Sequence, residues 1–258
     1  LLSTSGSRTL AQRNTNHLLG GIMELKDKVV VITGGSGGIG KAMAKAFLNE
    51  GAAGIMLADL DAAAVAQAAA DIGCNGMACD VTDEAQVAAL VAATEDQYGQ
   101  VDVFCSNAGA GGNGLLTDAA NDVWQQQWEL HVMSHLYAAR AVLPGMIERG
   151  EGYLLNTASA AGLLAALGSG PYTVTKAAAV KFAEFLSITH GDDGIKVSVL
   201  CPQGVNTAMA PRSLGDGQTD GIIEASALAQ TVVETMREER FHVLPHPEVE
   251  EYVRRKGD

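Results

Sequence analysis

Three polar side chains, Ser159, Tyr172 and Lys176, have types and a spacing that could move a proton. Tyr172 and Lys176 are four residues apart on a predicted helix, so both side chains can meet over the same ligand. A free tyrosine titrates near ~10, too high for a base at neutral pH, but a neighbouring ammonium favours the tyrosinate. Ser159 follows a predicted strand and could hold a substrate oxygen beside Tyr172. We expect Tyr172 to act as a general acid and base.

Two histidines, His131 and His135, are also four residues apart. Such a pair could bind a metal, but the sequence offers no third ligand at a suitable spacing, so we expect no metal site. Because imidazole titrates close to neutral pH, His131 is a candidate for a catalytic proton relay. Packing alone is the alternative for both side chains.

A glycine-rich turn follows the apolar run that begins at Val29, in the sequence VVVITGGSGGIG. The pattern reads as a buried strand, then a tight turn, then the start of a helix. In this order the free N–H groups and the positive end of the helix dipole can bind a pyrophosphate. A flexible turn is the alternative. The pattern predicts a dinucleotide site, with Gly34, Ser36, Gly38, Ile39 and Gly40 as cofactor-binding residues.

Asp59 lies 19 residues beyond Gly40, at the end of the second predicted strand. A carboxylate there can accept hydrogen bonds from both ribose hydroxyls and would repel a 2′-phosphate, which favours NAD over NADP. The next residues are Leu60, Asp61 and Ala62, none of them basic. A helix N-cap is the alternative role for Asp59.

The elements that position these residues alternate along the chain. The predicted strands are continuous apolar runs, typical of a parallel sheet buried on both faces. Right-handed crossovers place helices on both faces, so the fold class is α/β, a doubly wound sheet of seven mainly parallel strands with its ligand site at the carboxyl ends. Strands are predicted at 29–33, 54–58, 76–79, 101–106, 152–158, 195–201 and 241–244, and helices at 41–49, 62–70, 84–97, 122–149, 172–190 and 227–239.

Composition narrows the protein class. The 258 residues contain no linker, so we expect one catalytic domain over 23–245, with a flexible extension at 1–22 and a charged tail at 246–258. The formal charge of −13 opposes binding to nucleic acid or to an anionic membrane surface. The four cysteines are not clustered, which favours reduced thiols. We find no secretory signal and no apolar run of ~20 residues, so we expect a cytoplasmic protein without a membrane span.

The chain resembles the short-chain dehydrogenase/reductase family over roughly 25–244. Residues 33–40 (TGGSGGIG) match its TGxxxGIG loop, and 172–176 (YTVTK) match its YxxxK motif, with Ser159 thirteen residues upstream. Residues 106–109 (SNAG) match its NNAG element, with Ser in the first place. The resemblance implies a single-domain, Rossmann-like fold and hydride transfer to or from a nicotinamide, with Lys176 bonding the nicotinamide ribose. It adds Asp80, Val81, Asn107, Ala108, Gly109, Tyr172, Lys176, Pro202, Val205 and Thr207 as cofactor-binding residues.

The sequence departs from the family pattern at two positions. Aligned on Trp124 and on 141–146 (AVLPGM), His131 occupies the place of the usual catalytic Asn. After the sixth predicted strand, Gln203 replaces the usual Gly of the PG element. The first change affects the proton relay and the second affects the nicotinamide wall.

The segment 207–223 combines Pro, Gly and small polar residues, which is typical of a mobile lid. The candidate substrate walls are mostly small or apolar, at 110–116, 160–167, Gln203 and Met209. They favour an apolar alcohol or ketone as the small-molecule partner. The ending FHVLPHPEV resembles a branch of the family that includes bacterial alcohol oxidoreductases, and family members are commonly homotetramers or homodimers through the helices at 122–149 and 172–190.

We therefore expect an enzyme, an NAD-dependent dehydrogenase or ketone reductase, that interconverts a secondary alcohol and a ketone. Two alternatives remain at this stage. A catalytically silent NAD-binding sensor or scaffold would keep the fold, and His131 at the Asn position motivates it. An NAD-using dehydratase or epimerase would keep the dinucleotide loop and Tyr172 but require another acid or base.

Overall fold

The computed structural model describes residues 23–112, 114–208 and 220–256. The expected extension at 1–22, Met209 and most of the expected lid at 207–223 lie outside the described residues. Within the described part, strands and helices alternate as the sequence patterns predicted.

Seven strands form one parallel sheet in the order β3-β2-β1-β4-β5-β6-β9. The predicted seven-stranded doubly wound sheet is thereby confirmed. A further two-stranded parallel pair, β7 with β8, was not predicted from the sequence. The strands are β1 (Val29–Thr33), β2 (Gly54–Asp59), β3 (Asn75–Ala78), β4 (Val103–Ser106), β5 (Gly152–Thr157), β6 (Ile195–Leu200), β7 (Val205–Asn206), β8 (Ile223–Glu224) and β9 (His242–Val243).

Helices connect the strands and cover both faces of the sheet. Side chains of Asp61 and Asp83 cap α2 and α3 by accepting hydrogen bonds from backbone N–H groups of the first turn. The helices are α1 (Gly38–Asn49), α2 (Ala62–Ile72), α3 (Glu84–Tyr98), α4 (Asn121–Trp128), α5 (Ser134–Arg149), α6 (Ala160–Leu163), α7 (Gly170–His190), α8 (Ala225–Arg237) and α9 (Glu248–Arg255). Segment 246–258, expected as a charged tail, thus contains a helix.

A π-helical turn, Glu129–Met133, separates α4 from α5. The sequence predicted one continuous helix over 122–149, because a π turn keeps the apolar and polar pattern of its neighbours. Such turns insert an extra residue into a helix and are frequent at functional sites. His131 lies in the middle of this turn.

The sheet separates two apolar cores. One core joins the sheet to α3, α5 and α7, and the other joins it to α1, α2 and α8. Beyond β1 the chain builds outward to β2 and β3, and then returns to build β4, β5 and β6 on the other side of β1. This reversal leaves a crevice at the carboxyl ends of β1 and β4, where open α/β sheets bind their ligands.

Candidate active site

The glycine-rich turn after β1 forms a cradle that side chains would fill. Gly34 has a φ of 64°, a left-handed conformation that L side chains rarely adopt. A Cβ added at Gly40 would collide with the Gly34 carbonyl oxygen, and one added at Gly38 would lie 2.6 Å from Thr207 Cγ2. The backbone here approaches its surroundings as closely as a pyrophosphate site requires, and Thr207 lies directly beside it. Ile39 packs against the core under α1.

Asp59 ends β2 and is tied to the glycine-rich turn. Its Oδ2 accepts hydrogen bonds from Ser36 N at 3.0 Å and from Ser36 Oγ at 2.6 Å. The N-cap of the following helix is Asp61, whose side chain accepts hydrogen bonds from Ala63 N and Ala64 N. The N-cap alternative for Asp59 therefore does not hold, and its carboxylate stands at the edge of the cradle.

The segment after β4 is fastened to the end of β1. Backbone N–H groups of Asn107 and Ala108 both donate to Thr33 Oγ1, at 2.9 and 3.0 Å, and Asn107 Nδ2 donates to Thr33 O at 2.9 Å. Thr157 Oγ1 donates to Asn107 Oδ1 at 3.3 Å from the end of β5. These bonds fix three neighbouring strand ends against one another.

Lys176 is buried beneath this segment. Its Nζ donates a hydrogen bond of 2.9 Å to Thr157 O, and a Cβ built on Gly109 would lie 3.5 Å from Nζ. Burial lowers the pKa of Lys176 to about 8. The ammonium therefore remains the main form of Lys176 at neutral pH, and its hydrogen bond to Thr157 O holds this charge in one position in the crevice.

Tyr172 lies one helical turn before Lys176, whose Nζ is 5.7 Å from the centre of the phenol ring. Ser159 lies two residues beyond the end of β5, and a hydrogen bond with its hydroxyl lowers the pKa of Tyr172. Burial is the larger effect and raises the pKa of Tyr172. Ionisation of the phenol therefore needs additional positive charge at the site.

His131 touches Tyr172 edge to face, with ring centres 5.4 Å apart. Ala110 N donates to its Nε2 at 3.3 Å, so Nε2 is an acceptor and the proton resides on Nδ1, 3.1 Å from Thr175 Oγ1. Burial, followed by the charge of Lys176, lowers the pKa of His131 to about 2. The expectation that this imidazole titrates near neutral pH is thus wrong, because the burial of His131 cannot be read from its neighbours in the sequence.

His135 lies one turn after His131, at the start of α5, and pairs with β5. Its Nδ1 lies 2.8 Å from Asn156 Oδ1, and burial lowers its pKa to about 4. No group of three potential metal ligands occurs among the residues that the structure describes. His135 thus links its helix to β5, whereas His131 is bonded to Ala110 N and to Thr175 of α7.

The remaining predicted cofactor residues lie along the same edge of the sheet. Asp80 and Val81 follow β3, and the Asp80 carboxylate accepts hydrogen bonds from Thr82 N and Oγ1 at 2.9 and 2.7 Å. Pro202 follows Cys201 at the end of β6, and its carbonyl oxygen accepts a hydrogen bond of 2.9 Å from Ala160 N. Val205 is buried in β7.

One of the predicted substrate walls, at 110–116, pairs with the residues just before α7. Gly114 forms a bridge with Ser169, immediately before α7 carries Tyr172 into the site. Leu116 and Leu167 are 72% and 82% exposed, so the two walls present apolar side chains to their surroundings. Their exposure leaves apolar surface at the approach to Tyr172.

Sequence reasoning missed several residues that organise the site: Thr33, Thr157 and Thr175. Each acts through a hydrogen bond to a neighbour that sequence reasoning did select. Thr33 lies inside the matched loop motif, which was the only signal for any of them. Thr157 acts through its backbone carbonyl, which accepts from Lys176, and Thr175 acts through a contact with His131 on another helix. Contacts of these two kinds leave no pattern in a sequence.

The chain has a parallel sheet, a glycine cradle at the switch point of that sheet, and a half-buried Tyr172 beside the buried Lys176. These features define a class, the α/β proteins that bind a ligand at the carboxyl ends of their strands. Comparison with known proteins narrows that class. Residues 28–216 match the sequence profile of the short chain dehydrogenases. The chain therefore belongs to the short-chain dehydrogenase family, as the motifs predicted, and is an oxidoreductase of a family that binds a nicotinamide cofactor and acts on small molecules.

Individual relatives agree with this assignment. The chain is 32% identical over 240 residues to 1-deoxy-11-beta-hydroxypentalenate dehydrogenase of Streptomyces exfoliatus, covering 86% of this chain and 84% of that protein. It is 34% identical over 190 residues to an inactive 2-(S)-hydroxypropyl-CoM dehydrogenase 2 of Xanthobacter autotrophicus, covering 73% and 82%. A crystal structure of a short chain dehydrogenase/reductase from Burkholderia phymatum in complex with NAD has a TM-score of 0.82 and 30% identity, covering 90% and 93%. Among the described residues, no helix is long and apolar enough to cross a membrane.

Proposed function

We propose that the protein is an NAD-dependent dehydrogenase or ketone reductase that interconverts a secondary alcohol and a ketone. The observation that carries this proposal is the meeting of Ser159, Tyr172 and Lys176 at the carboxyl edge of the sheet, next to the glycine cradle. An acid–base group, a hydroxyl that can hold an oxygen and a buried cation are the parts that proton transfer at a carbinol or carbonyl needs.

The residues present fit a dinucleotide. Gly34, Gly38 and Gly40 are packed too closely against neighbouring protein atoms to carry side chains. The backbone N–H groups of this cradle would receive the pyrophosphate. Asp59 would accept hydrogen bonds from the ribose hydroxyls, and Asp80 and Val81 would contact the adenine, as the resemblance implies. When bound, NAD supplies the carbon that accepts or gives the hydride.

Tyr172 exchanges the proton of the substrate oxygen. In alcohol oxidation its phenolate takes the hydroxyl proton, and in ketone reduction its phenol returns it. Burial raises the pKa of Tyr172 in the protein alone, so positive charge must offset this cost. Lys176 provides an ammonium below a pH of about 8, and the oxidised nicotinamide adds a second positive charge.

Ser159 and His131 position the reacting groups. The Ser159 hydroxyl is close to the phenol and can orient the substrate oxygen toward it. His131 stays neutral and holds Ala110 N and Thr175 in place while its ring packs on Tyr172. We propose that it contributes to catalysis by this support, in place of the ionising relay expected from the sequence.

We propose NAD in preference to NADP because of Asp59. Its carboxylate accepts both donors of Ser36 at the edge of the cradle, and a 2′-phosphate there would bring two anions together. The resemblance to a structure solved with NAD agrees with this choice.

A second candidate is a catalytically silent protein that binds NAD. One relative at 34% identity carries the name of an inactive dehydrogenase, and His131 occupies the position of the family's catalytic Asn. The position of Tyr172 beside the buried Lys176 favours the active enzyme. The two candidates differ in a single measurement, hydride transfer by the wild type.

The proposed partners are an apolar substrate and further copies of the chain. Large apolar side chains are exposed on the helices expected at the subunit interface, among them Trp128, Val174, Phe185 and Ile188. Such surface favours association into a homodimer or homotetramer, which light scattering would measure directly. The cytoplasm is the proposed location, and the four cysteines are all free thiols.

The test follows absorbance of reduced nicotinamide with butan-2-ol, cyclohexanol and 1-phenylethanol, and with the matching ketones in reverse. Each is assayed with NAD and, separately, with NADP. Turnover with NAD that is lost in Tyr172→Phe supports the proposal. Tight NAD binding without turnover on any of the six compounds would favour the silent protein.

A further inference from the structure

The C-terminal segment packs onto the substrate side of the sheet. His246, before α9, is 1% exposed, and Val249, in the first turn of the helix, is fully buried. Burial of Val249 within the helix and of His246 just before it fixes the segment against the domain. The segment is therefore part of the structure around the active edge.

One side of α9 holds the residue that departs from the family's PG element. Tyr252 donates its hydroxyl to Asp220 Oδ1 at 2.8 Å, and Gln203 Nε2 donates to Asp220 Oδ2 at 2.9 Å. Gln203 N donates to His246 Nδ1 at 3.3 Å. Both the backbone and the side chain of Gln203 are thus bonded to this part of the chain, the side chain through Asp220.

The other end of α9 reaches the segment after β5. Lys256, at the C-cap, donates from Nζ to Leu163 O at 2.9 Å. Leu163 ends the short helix that Ser159 caps by accepting a hydrogen bond from Ala161 N at 3.2 Å. The helix therefore contacts both segments that follow the two strand ends nearest the catalytic serine.

These two segments also touch each other at the catalytic group. Pro202 O accepts hydrogen bonds from Ala160 N at 2.9 Å and from Ser159 Oγ at 3.4 Å. Gln203 and 160–163 were both expected to line the substrate site. Two expected walls of that site are thus bonded to each other at Pro202 O and to the C-terminal segment at His246 and Lys256.

We propose that α9 is a brace that sets the separation of these two substrate walls, with Tyr252, Asp220 and Lys256 as positioning residues that determine substrate specificity. The role of α9 in specificity rests on the proposed function. The role of α9 in holding the two walls rests on the hydrogen bonds alone. Gln203 supplies a side chain for the brace to hold, whereas the glycine usual at this position has none.

The first test measures the brace without any substrate. Hydrogen exchange of peptides covering 159–164 and 202–206 is compared among wild type, Tyr252→Phe and Arg255→Ala. Tyr252→Phe removes one hydroxyl and should speed exchange in both peptides about two- to tenfold, the range for one lost hydrogen bond. Arg255, on the same helix, pairs within the described residues with Glu251 of that helix and serves as the matched control. Unchanged exchange in Tyr252→Phe would overturn the brace.

The second test measures specificity on the same variants. Tyr252→Phe should change the ratio of kcat/KM for 1-phenylethanol over butan-2-ol about threefold or more, mainly through KM, with NAD affinity unchanged. Asp220→Asn keeps an acceptor for the Tyr252 hydroxyl. Its ratio of kcat/KM for the two alcohols should therefore lie between the ratios of wild type and Tyr252→Phe. Faster exchange with an unaltered ratio would overturn the role in specificity. If wild type turns over no compound, the proposed function fails, while hydrogen exchange still decides whether α9 braces the walls.

Discussion

Replacing His131 with asparagine should make the stability of the protein less sensitive to acid. His131 is neutral and buried in the folded state, where its pKa is lowered to about 2. In the unfolded chain an imidazole titrates near ~6.5. Between these two values the unfolded chain binds a proton that the folded protein does not, so the free energy of unfolding falls as the pH falls.

The magnitude follows from the two pKa values. One pKa unit corresponds to about 1.4 kcal/mol, so His131 should remove about 2 kcal/mol from the free energy of unfolding between pH 7 and pH 5. His131→Asn lacks this titration and should lose about 2 kcal/mol less over the same interval. An asparagine oxygen can still accept from Ala110 N, so we expect the variant to fold.

The assay is chemical denaturation of wild type and His131→Asn at pH 5 and pH 7. For each protein, the free energy of unfolding at pH 5 is subtracted from that at pH 7. This difference cancels the effect of the substitution on packing, which is the same at both pH values. His135→Asn is a matched variant, because burial lowers the pKa of His135 to about 4, and it should reduce acid sensitivity by a similar amount. An identical pH dependence in wild type and His131→Asn would refute the depressed pKa.

The same variant also tests the catalytic role of His131. Since the imidazole stays neutral across the working range, His131→Asn should leave the acidic limb of the pH-rate profile in place and change only its height. A shifted acidic limb would show that the imidazole ionises during turnover. The proton relay first expected from the sequence would then be restored.

Three further predictions concern the cofactor and the proton. NAD should bind at least about tenfold more tightly than NADP, and Asp59→Ser should narrow that gap in titrations with both dinucleotides, whereas an unchanged gap would assign Asp59 no part in the choice. Tyr172→Phe should lower turnover about 100-fold with NAD affinity nearly unchanged, while Lys176→Ala should impair both; near-normal turnover in the Phe variant would contradict the mechanism. Gly40→Ala should weaken NAD binding measured by calorimetry, because its methyl group meets the Gly34 carbonyl oxygen, and an affinity equal to wild type would show that the cradle can relax.

Short-range patterns in the sequence determined the fold and the choice of candidate residues. Apolar runs such as 29–33 and 195–201 predicted buried parallel strands, because period and composition are visible within a few residues. The loop at 33–40 and the Tyr172–Lys176 spacing were visible for the same reason. The family assignment followed from these motifs and was confirmed.

Only the tertiary structure decided what surrounds each side chain. The pKa of His131 depends on its burial and on Lys176, which is distant in sequence, and a π turn within a uniform helical pattern places it there. Asp220 meets Tyr252 across 32 positions and Gln203 across 17. Burial and contacts between distant residues arise when the whole chain packs, so spacing along the chain could name the chemical groups at this site but could not give their protonation states or the residues that hold them.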